Sequence, residues 1–322
     1  MSISVRFDAT GPYDVEETDV PFARPPGTEL LARVYRPRGD AASPLAALVD
    51  VHGGAWARLD RTTGTLHDRA LAACGLVVVA LDFRQAPDHQ HPAASADVAA
   101  GVRWVRAHAS RLQVDPARIG LVGSSSGGQL ALLVGLKPGA PEHAGTPILR
   151  PDGTVDDTPG SDAVAFVLAL YPVADPLARY RYVLARENEP PPPSGFDAKR
   201  LIASHRGYFK DEAAMADASV TRLVETREAT ALPPVWVAQP ELDDNVPAEI
   251  TEAFVRAYRR AGGRLEHAAF PGARHGFIQQ AGPDADRAIA LMREFLRGQL
   301  VTQPAAEPPT RPREAGRGPG GH

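Results

Sequence analysis

Among its 322 residues the chain has a single cysteine, Cys74. A lone thiol closes no internal disulfide, so nothing here calls for an oxidising compartment. Within Leu71-Ala72-Ala73-Cys74-Gly75 it reads as a small buried hydrophobe. No stretch approaches the roughly 18 apolar residues that a membrane span requires. The opening residues also lack the basic and apolar regions of a secretory leader. Excess basic charge is missing too: 35 Lys and Arg against 39 Asp and Glu leave a net charge of −4. That balance gives no electrostatic footprint for nucleic acid or an anionic membrane. No glycine-rich run carries the Lys-Ser/Thr of a phosphate-binding loop. His89 and His91 are spaced like metal ligands, but no carboxylate cluster accompanies them, and they read as a polar loop. These absences predict a cytoplasmic protein with no metal, no organic cofactor, no nucleic acid and no membrane as partner. A homo-oligomer is left open.

What is present is a 43% hydrophobic composition, ample for one large core. Short aliphatic runs over residues 46–51, 76–81, 118–122, 164–170, 234–238 and 265–270 read as buried strands. An earlier strand falls over residues 28–37, ended by Pro37. Helical spacing marks residues 66–74, 95–112, 128–134, a segment starting at Pro247 and ending at Gly262-Gly263, and 285–300. Strands alternating with helices predict an α/β chain with a mostly parallel, doubly wound sheet. Residues 1–25 read as an irregular arm and 137–161 as a surface insertion. Residues 171–230 lack clean periodicity and suit a cap inserted above the carboxyl edge of the sheet, where ligands of open α/β sheets bind. Residues 1–302 are expected to form one domain. The Pro-, Gly- and Arg-rich stretch 303–322 reads as a disordered tail.

The rest is organised around Gly123-Ser124-Ser125-Ser126-Gly127, a Gly-x-Ser-x-Gly at a strand-to-helix junction. Such a turn is tight enough to strain the central serine and to exclude Cβ atoms at its flanks. A serine hydroxyl attacks only when a base takes its proton and a third group orients that base. Candidates follow later strands: Asp243 in Glu241-Leu242-Asp243-Asp244-Asn245, and His275 in Pro271-Gly272-Ala273-Arg274-His275-Gly276-Phe277. Singly, each is as easily a solvated turn residue or a helix-capping acid; the order and the strand-end placement favour convergence. An acyl-transfer site also needs donors for a developing oxyanion. The strand-end sequence His52-Gly53-Gly54-Ala55-Trp56 offers backbone N–H groups at Gly53 and Gly54, and Ser126 supplies another, while His52 reads as a brace for that loop.

Those motifs, together with Phe83-Arg84-Gln85-Ala86-Pro87, Pro92-Ala93-Ala94 and Asp97, resemble the α/β-hydrolase carboxylesterases. The nearest groups are the hormone-sensitive-lipase-like family and its arylformamidase-like cousins, and the likeness spans about residues 45–300. The resemblance implies an α/β-hydrolase fold, with Ser125 as nucleophile, Asp243 as orienting acid, His275 as base, and Gly53, Gly54 and Ser126 as oxyanion donors. Three positions depart from the pattern: Ala55-Trp56 for a third glycine, Ser124 for an acidic residue before the nucleophile, and Pro240 for a glycine. The last leaves Asp244 as an alternative to Asp243. The expectation is a serine carboxylesterase acting on small, short-chain, uncharged esters through an acyl-enzyme. An arylformamidase or amidase is the alternative, followed by a serine peptidase or a ligand-binding homologue without activity.

Overall fold

The computed structural model describes residues 3–158, 160–190, 192 and 194–301. The expected tail, 303–322, lies outside them. In chain order the strands are β1 (Ser4–Val5), β2 (Val15–Ala23), β3 (Leu30–Pro37), β4 (Asp40–Ala41), β5 (Leu45–Val51), β6 (Leu76–Leu81), β7 (Val114–Ser124), β8 (Ile148–Leu149), β9 (Val155–Asp156), β10 (Val167–Leu170), β11 (Val235–Pro240) and β12 (Leu265–Phe270). The α-helices are α1 (Thr65–Ala72), α2 (Ala93–Ala107), α3 (Ala109–Leu112), α4 (Ser126–Leu136), α5 (Pro176–Ala185), α6 (Ala198–Tyr208), α7 (Glu212–Asp217), α8 (Val220–Glu225), α9 (Ala248–Arg260) and α10 (Pro283–Val301).

Ten strands form one sheet in the order β12-β11-β10-β7-β5-β6-β3-β2-β8-β9, and β1 pairs with β4 apart from it. Pairings from β12 through β6 are parallel, whereas β3, β2 and the β8–β9 hairpin run antiparallel to their neighbours. Every residue of β5, β6 and β11 is buried, as expected of strands covered on both faces. On β6, Val77, Val79 and Leu81 face a core shared with α2, α4 and α9, and Leu76, Val78 and Ala80 face one shared with α1 and α10. The doubly wound sheet expected from the sequence is therefore the one observed. The chain order reverses at β5, which lies between β6 and β7, and this switch point is where ligands of such sheets bind.

Three segments carry more structure than their sequence suggests. The supposed irregular arm contains β2, a nine-residue strand paired with β3 along most of its length. Its charges disguise it: Asp19 binds Arg33 at 2.8 Å and Arg61 at 2.7 Å across the sheet surface. The 137–161 insertion adds the β8–β9 hairpin to the far edge, with Ile148 opposite Ala23. Residues 171–230 form four helices, α5–α8, each too short for an apolar stripe to stand out. Their start signals are nevertheless present. Asp175, Asp197, Asp211 and Ser219 each accept, through their side chains, a hydrogen bond from the backbone N–H three residues on.

Asp197 serves α6, which carries Arg200 and Leu201 to the pocket described below. Asp197→Ala is expected to cost about 1 kcal/mol in urea denaturation, and Asp197→Asn only a few tenths. An alanine variant as stable as the parent would show that this cap contributes nothing.

Candidate active site

Strand β7 ends at Ser124 and α4 begins at Ser126, so Ser125 forms the whole turn between them. Its φ of 55° and ψ of −118° lie where non-glycine residues are strained, and the surroundings hold it there. The Ser125 N–H donates to the Leu170 carbonyl at 2.8 Å, and the Ser125 carbonyl accepts from Val173 at 3.1 Å and Gln129 at 3.1 Å. A Cβ on Gly127 would lie 2.0 Å from the Val51 oxygen, and one on Gly123 would lie 2.4 Å from the Gly127 oxygen. The glycines are thus required by the approach of α4 to the end of β5.

His275 lies in the turn after β12 and Asp243 in the turn after β11. The His275 Nε2 is 2.9 Å from Ser125 Oγ, and its Nδ1 is 2.8 Å from Asp243 Oδ2. The other Asp243 oxygen accepts from the N–H groups of Asn245 at 2.9 Å and Val246 at 2.8 Å, so the carboxylate is buried yet fully engaged. Asp244 faces elsewhere: Ser194 hydrogen-bonds its carboxylate and Tyr182 donates to its carbonyl at 3.0 Å. Of the two acids, the structure brings Asp243 to the imidazole. The Tyr171 ring meets His275 edge-on, with centroids 4.7 Å apart.

Gly53 and Gly54 follow β5 after His52 and line the same pocket as Ser125 and His275. Gly54 has φ +99°, and a Cβ there would lie 2.1 Å from the Arg58 oxygen. His52 braces the loop from behind: its Nδ1 is 2.8 Å from the Gly53 oxygen and its ring stacks on Phe83 at 4.1 Å. Burial pushes the pKa of His52 down, which favours the neutral ring whose Nδ1–H donates to that carbonyl. Ser126 Oγ accepts from the Trp56 N–H at 3.2 Å, tying the loop to the start of α4. Trp56, fully buried, also donates to Gln129 at 3.0 Å and stacks on Tyr208 at 5.3 Å. Its contact joins the loop to the helices inserted between β10 and β11.

The pocket has a volume of about 130 Å³, below the few hundred typical of sites for drug-sized ligands. Arg58, Arg179 and Arg200 line it, and the sequence reading singled out none of them. They lie far apart in the chain, on segments without a motif. His91, weighed above as a metal ligand, instead packs on Tyr208 and Phe209. Among the described residues one group brings three ligand-type atoms within 4.8 Å of one another: Asp50, His67 and Asp68, all buried. It is not part of the pocket lining.

With this geometry in view, the chain belongs to a family of the alpha/beta hydrolase fold, whose sequence profile matches residues 48–279. It is 32% identical to Esterase LipC of Mycobacterium tuberculosis over 269 residues, which cover 81% of this chain and 61% of that protein. It is 28% identical to the ethyl acetate hydrolase of Pseudomonas putida over 88% of this chain and 83% of that one. Among solved structures, it resembles the thermostable carboxylesterase EstE1, cloned from a metagenomic library, with a TM-score of 0.68 and 26% identity over 94% of this chain and 92% of EstE1. The chain thus spans about three-fifths of LipC. No helix among the described residues is long and apolar enough to cross a membrane.

The buried trio has its own signature. His67 Nε2 stands 3.5 Å from Asp50 and 3.6 Å from Asp68, and no hydrogen bond reaches either Asp68 oxygen. Burial and the Asp50 charge push the pKa of Asp68 well up, with Glu17 adding to the shift. Burial opposes the imidazolium of His67, but the two carboxylates outweigh it and raise its pKa to about 9. Both groups hold protons more tightly folded than unfolded, so their contribution to stability is fully present below the unfolded pKa values and is lost as pH rises, for His67 between about 6.5 and about 9. The melting temperature is expected to drop between pH 7 and 10, and to drop less in Asp68→Asn. A chelator-induced drop at constant pH would instead make the trio a cation site.

Proposed function

We propose that the protein is a serine carboxylesterase for short-chain esters. The carrying observation is the unbroken relay from Ser125 through His275 to Asp243, with hydrogen bonds of 2.9 and 2.8 Å. In this reading His275 takes the Ser125 proton as the hydroxyl attacks the ester carbonyl. Asp243 keeps Nδ1 protonated and stabilises the imidazolium that forms. The N–H groups of Gly53, Gly54 and Ser126 receive the developing oxyanion. His275 then returns its proton to the departing alcohol. Water hydrolyses the acyl-enzyme by the same steps in reverse roles. The naming of the relatives as an esterase and an ethyl acetate hydrolase supports the ester as substrate. Residues 171–230 act as the cap in this reading, since Arg179, Arg200 and Leu201 wall the pocket. The lone buried Cys74 suits a reducing compartment such as the cytoplasm.

Ser125→Ala is expected to lower kcat by 10⁴-fold or more, and Ser124→Ala far less. Asp243→Asn should cost about 10⁴-fold because the imidazole loses its orienting partner, whereas Asp244→Asn should cost much less. Equal losses within either pair would overturn the assignment of roles.

Substrate size follows from the volume of the pocket. Each buried CH₂ adds at most ~0.8 kcal/mol until the space is full. Along a series of 4-nitrophenyl esters, kcat/KM should rise and then fall before about eight acyl carbons. A continued rise to C16, or activation at an oil–water interface, would make the protein a lipase.

A further inference from the structure

The guanidinium of Arg179 is the least expected group in this pocket. The side chain is 1% exposed, yet no carboxylate among the described residues lies within ion-pair distance of it. Its hydrogen bonds go to neutral acceptors: the Asn245 carbonyl at 3.3 Å, the Asn245 Oδ1 at 2.6 Å and His205 Nε2 at 2.9 Å. His205 is itself kept neutral by burial and by this neighbouring charge. A buried charge is normally paired, because desolvation costs several kcal/mol that only a counter-charge offsets. Around it the imbalance grows. Arg200 and Arg58 line the same pocket; Arg200 meets Asp197 only at 4.0 Å, and among the described residues no carboxylate lies within ion-pair distance of Arg58. Burial pushes the pKa of both Arg200 and Arg179 down, and each neighbouring guanidinium adds to it, Arg58 for Arg200 and Arg200 for Arg179. Among the described residues no Asp or Glu lines the pocket, and the nearby Asp243 is occupied by His275 and two N–H groups.

We propose that the missing counter-charge is supplied by the substrate: the pocket takes short esters that carry a carboxylate, held by Arg179 and Arg200 while Ser125 attacks the ester carbon. A planar guanidinium fork matches a carboxylate in shape as well as charge, and Asn245 and His205 fix the fork of Arg179 in place. A neutral ester would leave the buried charge unpaired. This inference rests on the ester-hydrolase reading and sharpens it.

The test compares substrates matched in length. On the acyl side, the mono-4-nitrophenyl ester of glutaric acid is set against 4-nitrophenyl valerate. On the alcohol side, acetoxyacetate is set against propyl acetate. At low ionic strength at least one anionic ester should show about tenfold or higher kcat/KM than its neutral partner, an advantage that shrinks in 0.5 M salt at roughly a 4 Å Debye length. Arg200→Gln should reduce the preference mainly through KM, lowering kcat/KM for the anionic ester several-fold more than for its neutral partner. Arg179→Gln is read alongside its melting curve, since removing a buried side chain can unfold the chain. An independent readout is calorimetric binding of monomethyl glutarate and of acetoxyacetate to Ser125→Ala, weakened by Arg200→Gln. Neutral esters hydrolysed as fast as anionic ones in both pairs, with no salt-sensitive binding, would overturn this inference and leave the esterase reading standing. Salt-sensitive binding without hydrolysis of any ester would sink the esterase reading and keep the anion site.

Discussion

The approach of α4 to the end of β5 is the constraint on which the rest of this site depends. Gly127 packs so closely on the Val51 and His52 carbonyls that a single added carbon would sit 2.0 Å from one of them and 2.3 Å from the other. That contact holds Ser125 at a positive φ and lifts its hydroxyl from the carboxyl edge of the sheet. It also brings the first N–H groups of α4 beside the Gly53-Gly54 loop, which is bound to α4 through Trp56 and Ser126. Strain at one residue is tolerated because α4 is buried along its whole length and β5 along all seven residues. Ser125 and the Gly53-Gly54 loop are therefore two ends of one packing contact.

The imidazole and the acid reach this edge by a different route. Strands β10, β11 and β12 run parallel beside β7, so each ends at the same edge, and the turns that follow carry Asp243 and His275. A register slip of one residue on β11 would turn its alternate side chains to the opposite face. Residue-by-residue pairing of Val235 to Pro240 with Leu265 to Phe270 sets that register. The geometry of the relay is thus inherited from the sheet.

What could be read from the sequence divides along physical lines. The elbow, the Gly53-Gly54 loop and His275 were legible because each is a local backbone requirement written in consecutive residues. The buried parallel strands were legible because two covered faces demand unbroken aliphatic runs. Strand β2 was not, since both its faces carry polar residues: Glu16 and Thr18 on one, and on the other Asp19, which pairs across the sheet with Arg33. Helices α5–α8 escaped for want of length, although four capping side chains announced them. The choice between Asp243 and Asp244 could not be made from adjacency; it is made by two backbone N–H groups that turn one carboxylate inward and by Ser194 and Tyr182, which hold its neighbour outward.

Charge was the hardest property to read, because composition averages what the fold separates. The whole chain is acidic, with a net charge of −4. Yet, among the described residues, the pocket around Ser125 and His275 is walled by three arginines and no acid, contributed by the loop after β5 and by α5 and α6. In a small cleft with low-dielectric walls, such a local field outweighs a diffuse surface charge of the opposite sign. The proposed anionic substrate would be drawn by the pocket although the surface as a whole repels it. Net charge argues about partners as large as a nucleic acid or a membrane; for a ligand that fits within 130 Å³, the deciding charges are those within one or two residues' reach of Ser125.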